Sequence, residues 1–76
     1  MGQKLPVLSG REVVRALKSV GFNEIPGRGK GSHVFIHRAN PPKGITVPNE
    51  KELKRGTLRA IIRQADLTVD EFLVLL

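Results

Sequence analysis

Apolar positions recur at helical spacing near both ends of the chain and alternate in the stretch between. Val13, Leu17 and Val20 stand at i, i+4 and i+7, with Val14 alongside, which is one stripe of an amphipathic helix. Arg11, Arg15 and Lys18 line its other side. Before the stripe, Ser9-Gly10-Arg11-Glu12 has the form of a capping box: the Ser9 hydroxyl can accept from the Glu12 N–H, and the Glu12 carboxylate can reach back to Ser9. Gly21 stands where a glycine ends a helix, and Phe22 where the following residue folds back on the last turn. The spacing predicts a helix over 10–20. The lead-in before it (residues 1–8) carries Pro6, which opposes regular structure, and then Val7 and Leu8.

The middle of the chain reads as β. Asn23 to Lys30 contains Ile25 and Pro26 and suits a short edge strand, where proline is tolerated. Gly27, Gly29 and Gly31 make a flexible turn. Ser32 to Arg38 is a strand rich in β-branched and aromatic residues. Ala39 to Gly44 is turn chemistry, and Ile45-Thr46-Val47 is a short strand closed by Pro48. Together these predict a three-stranded antiparallel meander.

Helical spacing then returns. Leu58, Ile61, Ile62 and Ala65 form an apolar stripe that Thr57 can cap. Arg55, Arg59 and Arg63 lie at i, i+4 and i+8 and share a face, for which the plain reading is a solvated surface. Thr68-Val69-Asp70-Glu71 is a second capping box, opening a last turn or two with Phe72, Leu75 and Leu76. That terminal apolar run either completes the core or serves a dimer or partner contact. The element order is α-β-β-β-α plus a short terminal helix: an α+β fold in one domain, residues 1–76.

Composition narrows the function. A chain of 76 residues buries only roughly 60–65% of the surface its unfolded form exposes. It has no room for a large enclosed cavity or a two-domain cleft, so an active site must lie on a surface. Cysteine is absent, which removes disulfides, thiolate metal sites and cysteine nucleophiles. No apolar run approaches the roughly 20 residues of a membrane span. Met1-Gly2 resembles a myristoylation start, but Pro6 stands where that pattern needs Ser or Thr. The expectation is a soluble cytoplasmic protein without membrane association. Thirteen Lys+Arg against seven Asp+Glu leave a net charge of +6, which suits a polyanionic partner. Ordinary solubility is the plainer explanation of the same number.

Alternation on the central strand sorts its side chains. Val34 and Ile36 point one way, and His33, Phe35 and His37 the other. Two apolar helices cover only one face of a three-stranded sheet, and Val34, Ile36, Ile45 and Val47 are the natural inner set. The outward face then carries His33, Phe35, His37 and Thr46 beside a basic glycine turn. Such a face suits single-stranded RNA: cations hold phosphate, a ring stacks on a base, and imidazole moves protons near neutral pH. The plainer alternatives are that a strand histidine is a polar surface residue and that Phe35 is covered by the Leu5–Leu8 segment. Metal chemistry is disfavoured. His33 and His37 would stand roughly 13 Å apart on a strand, and no Asp or Glu lies between Glu24 and Glu50. A serine triad is unsupported, because Ser32 and His33 face opposite sides. The segment Gly27-Arg28-Gly29-Lys30-Gly31-Ser32 lacks the spacing and the following helix of a phosphate-binding P-loop.

The chain resembles the HicA family of bacterial and archaeal toxins, also called YcfA-like. The matching residues are Leu8-Ser9-Gly10-Arg11-Glu12, Leu17, Gly21-Phe22 and the central Gly31-Ser32-His33. They continue through Val47-Pro48, Leu53 to Arg59 and Ile62-Arg63-Gln64-Ala65, and close with Leu67 to Leu73. The resemblance runs along nearly the whole chain, in order. It implies a fold like a double-stranded RNA-binding domain, with two main helices packed on one face of the sheet. It also implies a metal-independent ribonuclease, without cofactor, that cleaves mRNA and is neutralised by a HicB-type antitoxin. The histidine of the family's Gly-Ser-His motif is catalytic and falls on His33. Arg28, Lys30 and Ser32 are added as RNA-binding candidates for their closeness to His33, with Phe35 and His37 as substrate-side residues. The alternatives are a non-catalytic RNA-binding module of the same fold and a domain whose basic face docks an acidic protein. Neither helix shows the Asn, Gln and Arg cluster of a DNA-reading helix.

Overall fold

The computed structural model describes residues 5–28 and 31–76. The elements are α1 (Gly10–Lys18), β1 (Phe22–Glu24), β2 (His33–Ala39), β3 (Pro42–Pro48), α2 (Arg55–Gln64) and α3 (Val69–Val74). The strands form one antiparallel sheet in the order β1-β2-β3. This is the α+β arrangement expected of a double-stranded RNA-binding-like fold, with the helices on one face.

Both capping boxes form. The Ser9 N–H donates to Glu12 Oε1 at 2.8 Å, and the Glu12 N–H to Ser9 Oγ at 3.1 Å. The Thr68 N–H donates to Glu71 Oε1 at 2.7 Å, and the Glu71 N–H to Thr68 Oγ1 at 3.1 Å. Each box satisfies two N–H groups that a helix start leaves without partners. Helix α1 ends at Lys18, two residues before the expected 20. Val20 and Gly21 turn out of it through N–H bonds to the Leu17 and Lys18 carbonyls, with Gly21 at φ 99°.

Three further boundaries differ from the sequence reading. Strand β1 is Phe22–Glu24 and only its last two residues fall in the expected 23–30 span, because Phe22 enters the core and pairs with Arg38 while Asn23 and Glu24 pair with His37 and Ile36. Pro26 lies in the turn beyond. The expected turn over 39–44 is mostly strand: Ala39 pairs with Pro42, so only Asn40-Pro41, joined by a cis peptide bond, makes the reversal. Thr57 does not cap α2, which starts three residues earlier, at Arg55, with Lys54 as N-cap and no side-chain cap bond.

The core is hydrocarbon throughout. Val34, Ile36, Ile45 and Val47 are buried from the sheet, and Val13, Val14, Leu17, Leu58, Ile61, Ile62 and Phe72 from the helices. Among the described residues no polar or charged side chain is buried. Full burial of each large apolar side chain is worth about 1.5–3 kcal/mol. Leu5 and Leu8 of the lead-in join this core rather than covering Phe35. They are held there by the Leu53 N–H, which donates to the Leu8 carbonyl at 2.8 Å, and by the Gly10 N–H, which donates to the Glu50 carbonyl at 2.9 Å. The terminal run divides: Phe72 is fully buried, Leu73 and Leu75 pack partly on the core, and Val74 and Leu76 are exposed.

Arg38 closes the end of the sheet opposite His33. It stands on the core side of β2, its guanidinium 5.0 Å from the centre of the Phe22 ring. It donates to the carbonyls of Pro41 at 2.9 Å and Ala65 at 3.4 Å, and to Asp66 Oδ2 at 2.8 Å. One side chain thereby ties the β2–β3 hairpin to the end of α2.

Candidate nucleic-acid interface

Strand register assembles the outward face. Phe35 stands opposite Thr46, His37 lies between Asn23 and Gly44, and His33 faces Pro48. With Val34, Ile36, Ile45 and Val47 buried under the helices, period-two alternation turns these residues to the uncovered side. His33 and Thr46 are exposed, while Phe35 and His37 are half-buried.

Arg28, in the turn after β1, extends over this face with its guanidinium carbon 5.2 Å from the centre of the Phe35 ring. That distance is within cation–π range. Phe35 also rests on β3: a Cβ built at Gly44 would stand 2.6 Å from Phe35 Cζ and 3.0 Å from Cε1. The ring occupies the space that a side chain at 44 would need, as aromatic residues do beside a strand glycine. Gly44 is a position of the candidate face that the sequence reading missed, having assigned it to a turn. A glycine inside a strand, as a mark of close approach, was the signal that could have found it. Ser32 is exposed, and its carbonyl accepts from the Asn49 N–H, which ties the start of β2 to the chain leaving β3. The candidate Lys30 lies outside the described residues.

Among the described residues no outward strand position carries a carboxylate. Glu24, the acid on β1, pairs with Ile36 on the core side and accepts from Arg11 Nη1 of α1 at 3.0 Å. Among the described residues no group of three or more His, Asp, Glu or Cys is placed to hold a metal ion. His33 and His37 share the face but stand four strand positions apart, roughly 13 Å at the usual rise. One imidazole therefore cannot relay directly to the other. Among the described residues no helix is long and apolar enough to cross a membrane.

The arrangement brings together an exposed imidazole and a guanidinium stacked on an aromatic ring, at outward strand positions that, among the described residues, carry no acid. It can move a proton, attract a phosphate and stack a base, all on one open face. The family model for the HicA toxin of bacterial toxin–antitoxin systems matches residues 10–67, from the start of α1 to beyond α2. No curated protein matches the chain.

Proposed function

The chain belongs to the HicA toxin family of toxin–antitoxin systems, and from that premise we propose that it is a metal-independent endoribonuclease that cuts mRNA with His33. A toxin of such a system has a cognate antitoxin, and here that partner is of the HicB type and works by covering the outward face of the sheet. The observation that carries the reading is His33, exposed at the start of β2 on the face the helices leave uncovered.

The nucleophile is the substrate's own 2′-OH. Its oxygen bonds to the adjacent phosphorus as the bond from phosphorus to the 5′-oxygen breaks. His33 takes the 2′-OH proton and, as imidazolium, returns a proton to the leaving 5′-oxygen. The products are a 2′,3′-cyclic phosphate and a 5′-OH. Arg28 and Lys30 offset the charge that builds on the phosphoryl oxygens, Phe35 and the guanidinium stacked on it receive a base, and Ser32 and His37 contact the substrate on either side. One positioned acid–base group supplies typically ~10²–10⁴-fold. That is a modest enzyme, which one covering partner silences.

The test is cleavage of labelled mRNA by the purified, antitoxin-free protein in EDTA. We expect cutting by the parent, loss of it in His33→Ala with an unchanged circular dichroism spectrum, and a smaller loss in His37→Ala. Undiminished cleavage by His33→Ala overturns the assignment. Products ending in a free 3′-OH exclude 2′-OH attack, and salt-sensitive RNA binding without any cleavage leaves a non-catalytic RNA-binding module.

A further inference from the structure

The arginines of this protein sit in different surroundings, and Arg15, exposed on α1, has Glu12 as its charged neighbour. Arg11 and Arg38 are in ion pairs with Glu24 and Asp66, and Arg28 lies over Phe35. Arg55, Arg59 and Arg63 are all exposed along one ridge of α2, and among the described residues none of them is in an ion pair. No acidic residue occurs in α2, so its three arginines have no counter-charge on their own helix, while Lys51 and Lys54 just before it are balanced by Glu50 and Glu52. Like charges four residues apart on a helix repel, and cations at a helix N-terminus oppose its dipole. Arg55, in the first turn, thus opposes the dipole and Arg59 stands between two like charges, while Arg63 in the last turn suits the dipole.

We propose that this ridge is a track for the phosphate backbone of the RNA strand flanking the cleavage site, a second contact surface separate from the sheet face. The proposal rests on the RNA substrate of the reading above. Spacing supports it: successive arginines are about 6 Å apart along the helix axis, the scale of the gap between neighbouring phosphates of one strand. The residues on the same exposed side, Gly56, Ala60 and Gln64, offer no apolar or aromatic anchor. A protein interface would need such an anchor at its centre, whereas a backbone track needs only charge and room. Position supports it too. The Asn49 N–H bonds to the Ser32 carbonyl, so the chain that leads into α2 leaves the sheet beside His33. At the other end, Arg38 of β2 donates to Ala65 and Asp66, just past the end of α2. Helix α2 therefore runs in the same direction as β2, one layer behind it, and a strand leaving the sheet at the His33 end meets Arg55 first.

The test is binding of a labelled RNA of about 20 nucleotides, longer than the ~4–16 that one small fold covers. It is measured against salt in the full chain carrying His33→Ala, so that the RNA stays intact. Adding R55Q, R59Q and R63Q together should lower the slope of log affinity against log salt by about 2, from ~0.7 per phosphate contact on a single strand. That corresponds to roughly 100-fold weaker binding at 0.1 M salt. The same three positions changed to Lys should keep most of the slope, and single-stranded DNA of equal length should lose as much as RNA, because a track reads phosphates and not sugars. An unchanged slope in the Gln variant overturns the proposal. So does an unchanged slope accompanied by loss of antitoxin binding, which makes the ridge a dock for an acidic protein. A parent protein that binds RNA through the ridge but never cuts it sinks the nuclease reading while the track stands. Cleavage that depends on His33 with no change of slope sinks the track alone.

Discussion

The Phe35 ring lies across the register from Gly44, in the space a side chain there would fill: an added Cβ would stand 2.6 Å from its Cζ. The two residues are diagonal neighbours on β2 and β3, since Phe35 pairs with Thr46 and His37 with Gly44. Because the clash falls on the far end of a side chain, Gly44→Ala should leave the fold intact, at a cost within the ~1–3 kcal/mol usual for overpacking. The ring must swing away and carry Arg28 with it. We expect loss of the nuclear Overhauser contact between the Phe35 ring and residue 44, together with weaker RNA binding. Unaltered aromatic resonances would show that the ring does not depend on that glycine.

Two other glycines should respond with opposite signs. A Cβ on Gly10 would press far inside contact distance of the Pro48 carbonyl oxygen, a backbone atom that cannot swing aside. Gly56 has nothing within 4 Å of the position its Cβ would take. Both begin helices, where alanine otherwise gains about 0.4–1 kcal/mol by narrowing the unfolded ensemble. In urea unfolding, Gly56→Ala should raise the midpoint and Gly10→Ala should lower it by more than that gain.

Arg38 should matter more than any surface cation. Its side chain is only 13% exposed and serves three acceptors and a ring. Hydrogen bonds made by a charged group are worth about 1.5–3 kcal/mol each at most, and they do not add simply. Arg38→Ala should therefore destabilise by about 2–3 kcal/mol, read as a lower urea midpoint at constant slope. Arg38→Lys should recover little, because an ammonium cannot reproduce the planar fork.

Acid should weaken the protein through two carboxylates. The hydrogen bond from Arg38 holds the Asp66 carboxyl below its ordinary 3.8. The Ser9 backbone N–H, followed by the Ser9 hydroxyl, holds Glu12 below its ordinary 4.5. A carboxylate whose folded pKa is depressed stabilises the fold fully above its unfolded value, and that contribution fades as pH falls through the folded value. The deficits of Asp66→Asn and Glu12→Gln against the parent should be constant near neutrality and shrink below the ordinary carboxylate range. Deficits that persist undiminished at the lowest pH the fold survives would assign them to lost geometry rather than charge.

Elements whose signal is local were legible in the sequence. Both capping boxes need only four consecutive residues, and both form. The division of β2 into Val34 and Ile36 inside and His33, Phe35 and His37 outside needs only its period of two. What escaped depends on partners distant in the chain. Strand β1 has three residues, and its place is set by pairing with β2, so Phe22 read as a helix cap. Thr57 is a good capping type, but the backbone turns into α2 at Lys54, three residues before the expected cap. The contact of Phe35 with Gly44 exists only once the Asn40-Pro41 reversal sets the register, and no spacing rule within either strand contains it. The position of Arg28 over Phe35 likewise joins a loop to a strand.

Among the described residues no polar side chain is buried in the core, and β2 turns Val34 and Ile36 into it while the candidate residues His33, Phe35 and His37 stand on the opposite side of the same ribbon. On the reading proposed above, replacing the exposed His33 disarms the protein and leaves the core packing untouched. Harmless variants would persist in a cell as sound molecules, still able to engage the antitoxin and so to alter how much of it remains for the active copies.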